Sequence, residues 1–85
     1  MTEKEIIDIT NRVFEEDFEI PAEKLLPEAR IFEDLGLDSL DIVDLVVALQ
    51  KSFKVRIQDD EKVRSIRTLQ DIYGFIGDKR KEMGL

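Results

Sequence analysis

The chain has no cysteine, no histidine and no tryptophan among its 85 residues, and only two prolines and four glycines. Without cysteine it can build neither a disulfide framework nor a thiolate metal site. Without histidine it can build neither serine–histidine catalysis nor an imidazole-ligated metal centre. No apolar run approaches the ~20 residues that a membrane-spanning helix needs. The opening Met1-Thr2-Glu3-Lys4-Glu5 is charged from the outset and lacks the basic-then-apolar order of a secretory signal, so a cytoplasmic location is expected. There is no Gly-Lys phosphate loop, no repeat and no low-complexity linker, and residues 1–85 read as a single domain. A domain of this length has a modest core, with no room for both a scaffold and an enclosed active site for a large substrate. A binding or carrier module is expected, with no enzyme activity and no catalytic residue.

Charge is abundant and unevenly placed. The net value is −7, yet residues 1–44 hold fourteen Asp or Glu against four Lys or Arg, while residues 45–85 hold six against nine. Nucleic acid is a poor partner for the acidic front half, because phosphates repel it and no counterion release rewards binding. Basic partners are favoured. Asp34, Asp38, Asp41 and Asp44 do not make a calcium loop, which needs acidic or amide residues at alternate positions, then Gly, then a distant Glu; Gly36 falls in the wrong place. No metal site is expected.

The pattern along the chain is helical. Thr2 with Glu5 has capping-box spacing, and Ile6, Ile7, Ile9, Val13 and Phe14 recur at helical intervals, predicting a first helix that ends near Asp17. Residues 18–38 lack a sustained period and contain Pro21, Pro27 and Gly36. They read as a long connection, with one helical turn at Glu23 to Leu26 and with Leu25, Leu26, Ile31, Phe32, Leu35 and Leu37 as the side chains that pin it. A second helix runs from Ser39 to about Lys54. The segment Lys54-Val55-Arg56-Ile57 reads as a loop. Asp59, Asp60 and Glu61 suit the start of a short helix through Val63 to Ser65 or Ile66. Thr68 with Asp71 repeats the capping-box spacing, and Leu69, Ile72, Tyr73 and Ile76 make the stripe of a final helix whose tail, Asp78 to Glu82, reads as solvated. The expected fold class is all-α, three main helices plus one short helix, with a long first loop.

Two readings of Ser39 fit this pattern. Asp38 and Ser39 precede an apolar-periodic run, as ordinary capping residues do. Alternatively, a serine at a helix start, just after a glycine turn, offers its hydroxyl where backbone N–H groups and partial positive charge favour a phosphate. The helix that follows carries two apolar stripes. Ile42, Leu45, Val46, Leu49 and Phe53 form one, and Leu40, Val43 and Val47 form another, bordered by Asp41 and Asp44 and by Lys51 and Lys54. One stripe faces the core; the second is either covered by other segments or is a docking surface.

The run Phe32-Glu33-Asp34-Leu35-Gly36-Leu37-Asp38-Ser39-Leu40-Asp41, continued by Val43, Asp44, Leu45 and Leu49, closely resembles the attachment segment of acyl carrier proteins. The match is Asp-Ser-Leu after Leu-Gly, opening a helix, and nearly the whole chain fits that family's size and element order. The resemblance implies a small four-helix bundle. It implies that a phosphopantetheinyl transferase joins 4'-phosphopantetheine, taken from coenzyme A, to Ser39 through a phosphodiester, and that acyl intermediates ride on the terminal thiol. Gly36 and Asp38 would shape the turn around the arm. Leu40, Asp41, Val43, Asp44 and Val47 would dock acyl-transferring and acyl-modifying enzymes that present basic and apolar surface, and a core that opens between helices would hold an acyl chain. A monomer serving fatty-acid or polyketide-type lipid synthesis is expected.

The chain departs from that family's habit in one region. The second helix of such carriers commonly ends in acidic residues and the third is acidic too, whereas here Gln50, Lys51, Lys54, Arg56, Lys62, Arg64 and Arg67 occupy it. A specialised pathway or a restricted set of partners is the corresponding expectation. The alternatives are a non-catalytic helical interaction module, with Ser39 merely a helix-start residue, and a carrier of aminoacyl or peptidyl groups.

Overall fold

Thr2 opens the first helix in the computed structural model, which describes residues 2–57, 61–82 and 84, with the side chains of residues 61 and 62 left aside. The Thr2 hydroxyl accepts from the Glu5 N–H at 3.2 Å, and the Glu5 carboxylate accepts from the Thr2 N–H at 3.1 Å. This reciprocal cap starts α1 at Glu3 and the helix runs to Asp17. The same bond from the Thr2 backbone holds the Glu5 carboxyl below its ordinary range. Ile6, Thr10, Val13 and Phe14 face the core, while Ile7 and Ile9 are half-buried. Thr10 takes a place that an apolar count assigns to its neighbours, because positions 6, 10, 13 and 14 are the ones that return to one face.

The connection from residue 18 to residue 38 is long but not structureless. A 3₁₀ turn over Ala22–Lys24 sits between the prolines, one residue earlier than the expected turn. The Ile31 N–H donates to the Arg67 carbonyl, the Leu69 N–H to the Ala29 carbonyl and the Gln70 N–H to the Pro27 carbonyl, at 2.9, 3.1 and 2.9 Å. The loop is thereby stitched across the start of the last helix, with an isolated antiparallel bridge at Arg30 and Thr68. Leu25, Ile31, Leu35 and Leu37 are buried, but Leu26 and Phe32 are 50% and 45% exposed and do not pin the loop. Each of these two directly follows a residue that turns inward, and chain neighbours in an extended or turning segment face opposite ways.

Helix α2 spans Ser39–Phe53 and buries Leu45, Leu49 and Phe53, with Ile42 and Val46 half-buried beside them. It closes on Lys54 in the left-handed region, φ 57 and ψ 43, with the N–H groups of both Lys54 and Val55 on the Gln50 carbonyl. The loop that follows is core-facing at alternate positions: Val55 and Ile57 are buried, and the Ile57 N–H donates to Gln50 Oε1 at 2.8 Å. Asp59 and Asp60, expected to open the short helix, lie outside the described residues. The part that is described is a 3₁₀ turn over Glu61–Ser65.

Helix α3 spans Leu69–Glu82 and buries Leu69, Ile72, Tyr73, Phe75 and Ile76. The Asp71 N–H donates to Thr68 Oγ1 at 3.2 Å and the Thr68 N–H to Asp71 Oδ2 at 3.1 Å, the expected box. The Tyr73 hydroxyl donates to Asn11 Oδ1 at 2.6 Å, joining α3 to α1, and burial pushes its phenol pKa up. The tail is less solvated than expected. Arg80 is half-buried and donates from Nη1 to the Phe53 carbonyl at 3.2 Å, tying α3 to the end of α2. Lys79, also half-buried, lies 6.0 Å from the Phe75 ring centre. Long basic side chains can bury their stems while their heads find partners, which is why a run of charges does not guarantee a free face. The architecture is all-helical, three α-helices with short 3₁₀ turns and no strand among the described residues, with α1 packed on both α2 and α3. No helix among these residues is long and apolar enough to cross a membrane.

Candidate functional site

The approach to α2 is held from both sides of Gly36. The Asp34 and Leu35 N–H groups donate to the Arg30 carbonyl at 2.9 and 3.1 Å, and the Leu37 N–H donates to the Ile31 carbonyl at 3.2 Å. Asp34 Oδ2 in turn accepts from the Arg30 N–H at 2.8 Å. Leu35 and Leu37 are buried, and the chain between them turns through Gly36 at φ +74. A Cβ at Gly36 would meet nothing within 4 Å, so glycine answers the left-handed backbone and not a shortage of space.

Asp38 follows in extended conformation, φ −118 and ψ −175, and caps the helix. Its Oδ1 accepts from the N–H groups of Leu40 and Asp41, both at 3.0 Å, and Asp41 Oδ2 accepts from the Asp38 N–H at 3.1 Å. The positive end of α2 is thus already answered by a carboxylate of the chain itself. That revises the electrostatic expectation: the anchoring N–H groups of the second and third helical residues are taken, and a phosphate on Ser39 would have to share the helix end with Asp38. Ser39 is exposed as the first helical residue, and its hydroxyl has no hydrogen-bond partner among the described residues.

Beyond Ser39, Leu40 and Val43 are 78% and 62% exposed, far above any core position. Asp44 is exposed and Asp41 half-buried. Val47 is half-buried too, because it lines a shallow groove with Asp17, Asp44 and Lys51 between the end of α1 and α2. Gly36, Asp38, Ser39, Leu40, Val43 and Asp44 are therefore brought to one end and the exposed side of α2, with Val47 at its edge, while Asp41 is half-buried with its carboxylate engaged in the cap.

On the other side of α2 lies a feature that periodicity did not disclose. An apolar cavity of about 170 Å³ opens between α2, the first loop, the Glu61–Ser65 turn and α3, lined deeply by Leu45, Leu49, Ile57 and Ile72. Its exposed members, Phe32, Arg64 and Arg67, mark the opening. Cavities of roughly 150 Å³ with such linings stay dry and accept apolar guests. Its existence depends on how far apart two helices are held, which no single segment encodes. The Phe32 side chain, misplaced as a pin, is a wall of this opening. Among the described residues no three acidic side chains gather closely enough to hold a metal ion.

The family whose description is "Phosphopantetheine attachment site" matches residues 11–76. Acyl carrier protein 2 of Ralstonia nicotianae is 42% identical over 76 residues, covering 89% of this chain and 93% of that protein. The acyl carrier protein of Thermosynechococcus vestitus is 38% identical over 79 residues, covering 93% and 96%. That of Thermobifida fusca is 37% identical over 75 residues, covering 88% and 94%.

Proposed function

Because the chain belongs to the acyl carrier protein family and carries acyl groups on covalent 4'-phosphopantetheine, we propose that Ser39 is the residue that bears the arm. The observation that carries this reading is an exposed serine hydroxyl at the head of α2 with no hydrogen-bond partner among the described residues. The residues around it fit the group: Asp38 and Leu40 are exposed, and Gly36 leaves its approach open. When bound, the arm supplies a thiol that holds the cargo as a thioester. The chain's own part is to present Ser39 on a rigid helix end, fixed by the Asp38 cap and by the buried Leu35 and Leu37.

Leu40, Asp41, Val43, Asp44 and Val47 form the docking face for the phosphopantetheinyl transferase and for acyl-transferring enzymes with basic and apolar surfaces. Exposed ion pairs contribute little singly, so these contacts are brief and salt-sensitive, as a shuttle requires. The family is one of non-catalytic carriers, and this chain is read likewise, as a single carrier domain working as a monomer in the cytoplasm. The apolar cavity beside α2 favours a hydrocarbon cargo over an aminoacyl or peptidyl one, because burial of methylene groups there is favourable by about 0.8 kcal/mol each. Fatty-acid or polyketide-type lipid synthesis is the corresponding setting, in a specialised pathway.

Intact mass after incubation with coenzyme A and a broad-specificity phosphopantetheinyl transferase tests the attachment. One arm on the wild type and none on Ser39→Ala is the expected result. An unmodified wild type, or an arm that survives the substitution, overturns it.

A further inference from the structure

Around Ser39, α2 separates two margins of opposite charge. At about 100° per residue, Ile42 and Val46 turn toward the apolar cavity, Leu40 and Val43 turn outward, and Asp41 and Asp44 turn toward α1, where Asp44 shares a groove with Asp17 and with a single base, Lys51. Across the cavity opening from α2 stand Arg64 and Arg67, both exposed. Laterally, the face runs acid, exposed apolar, cavity mouth, base.

The basic margin follows from the sequence as well as the fold. Residues 27–44 hold six Asp or Glu and one Arg, and that Arg30 is paired with Glu33 and Asp34. Residues 54–67 hold five Lys or Arg against three Asp or Glu. Arg67 is also fixed in place. Its Nη1 donates to the carbonyls of Arg64 and Ile66 at 2.7 and 3.1 Å, which fastens the guanidinium to the turn, where the nearby Asp71 carboxylate feels its charge. Neither Arg64 nor Arg67 makes an ion pair among the described residues.

A partner surface that is basic throughout would be drawn to Asp41 and Asp44 and repelled at Arg64 and Arg67. Like charges brought together across an interface cost affinity and exclude wrong partners. We infer that the enzymes acting on cargo carried by this chain dock with a divided surface, basic and apolar against α2 and acidic against Arg64 and Arg67. The inference rests on the docking face assigned above. Two opposite poles also set orientation, since turning the partner around opposes like charges at both ends, and Ser39 lies between the poles.

The test uses the arm-bearing chain and a condensing enzyme of general fatty-acid elongation whose docking rim is all basic. Loading of the arm, read by intact mass before each assay, separates failure of the attachment reading from failure of this one. Arg64→Glu is expected to raise kcat/KM with this enzyme roughly threefold or more at low salt, and less at high salt, because rim charges act on encounter and are screened. Arg64→Gln falls between the two and keeps the test intact should the reversal disturb the turn. Single Lys→Glu or Arg→Glu changes around the enzyme's rim then include one that speeds the wild-type chain and slows Arg64→Glu. Equal turnover of wild type and both Arg64 variants, or a rim scan in which no change inverts their order, overturns the inference.

Discussion

At the start of α2, Asp38 and Asp41 exchange side-chain and backbone hydrogen bonds; at the start of α3, Thr68 and Asp71 do the same. The two caps are chemically alike, yet the helices they open stand in opposite surroundings. Leu69, just inside the α3 cap, is fully buried, whereas Leu40, just inside the α2 cap, is 78% exposed. The difference comes from the first loop. Its residues 27–31 lie across the start of α3 through three backbone hydrogen bonds and leave the start of α2 bare. A cap specifies that a helix begins; what covers the beginning is settled by a segment far away in sequence, and that decides whether the helix end is structural or free to be used.

The largest expected effect breaks the comparison at its buried side. Leu69→Ala should lower unfolding free energy by about 2–5 kcal/mol in chemical denaturation, while Leu40→Ala stays within about 0.5 kcal/mol. Equal losses would mean that the two helix starts are not different after all. Next, Val43→Asp should slow acyl transfer to a partner enzyme roughly tenfold, measured by thioester turnover, with helical circular dichroism unchanged. Unfolding instead would return that stripe to the core. The caps themselves should behave alike. Asp38→Ala and Thr68→Ala should each cost about 1 kcal/mol in thermal denaturation, the former somewhat more because Asp38 accepts from two N–H groups.

The smallest effect is one of pH. Hydrogen bonds from the backbone of Arg67, then from Thr68, hold the Asp71 carboxyl below its ordinary range. The folded state therefore favours the ionised form. The stability this contributes is fully present above the ordinary carboxylate range and is lost as pH falls through the lowered folded value. Thermal melts of Asp71→Asn should show a shallower acid limb than the wild type between about pH 5 and 2. An unchanged limb would show that the α3 cap does not depend on charge.

Much of the fold was legible because its signals are local. The boxes at Thr2 and Thr68 and the stripes of α1 and α3 are each contained within a few turns, and the helices begin and end where those signals stand. The candidate site was legible for the same reason: Gly36, Asp38 and Ser39 lie in four consecutive positions, and Leu40 and Val43 were marked by having no place on the core stripe. What was misread, at Leu26, Phe32 and Arg80, or left unread, at Thr10 and Gln50, involved choices between neighbours or contacts across the molecule. Leu26 and Phe32 have buried neighbours, Thr10 is polar in an apolar place, and Arg80 and Gln50 look like surface residues until their partners, Phe53 and Ile57, are brought to them.

By itself the sequence determined where helices start, which faces are apolar, the imbalance of charge between the two halves and the serine at a helix head, since each depends on bonds and spacings within a short stretch. Only the tertiary structure decided that Leu40 and Val43 stay uncovered, that an apolar cavity opens beside α2, and that Arg64 and Arg67 stand across its mouth from the apolar side of that helix. Those depend on the separation and covering of elements distant in the chain. They are set by how the whole core closes, which no local pattern contains.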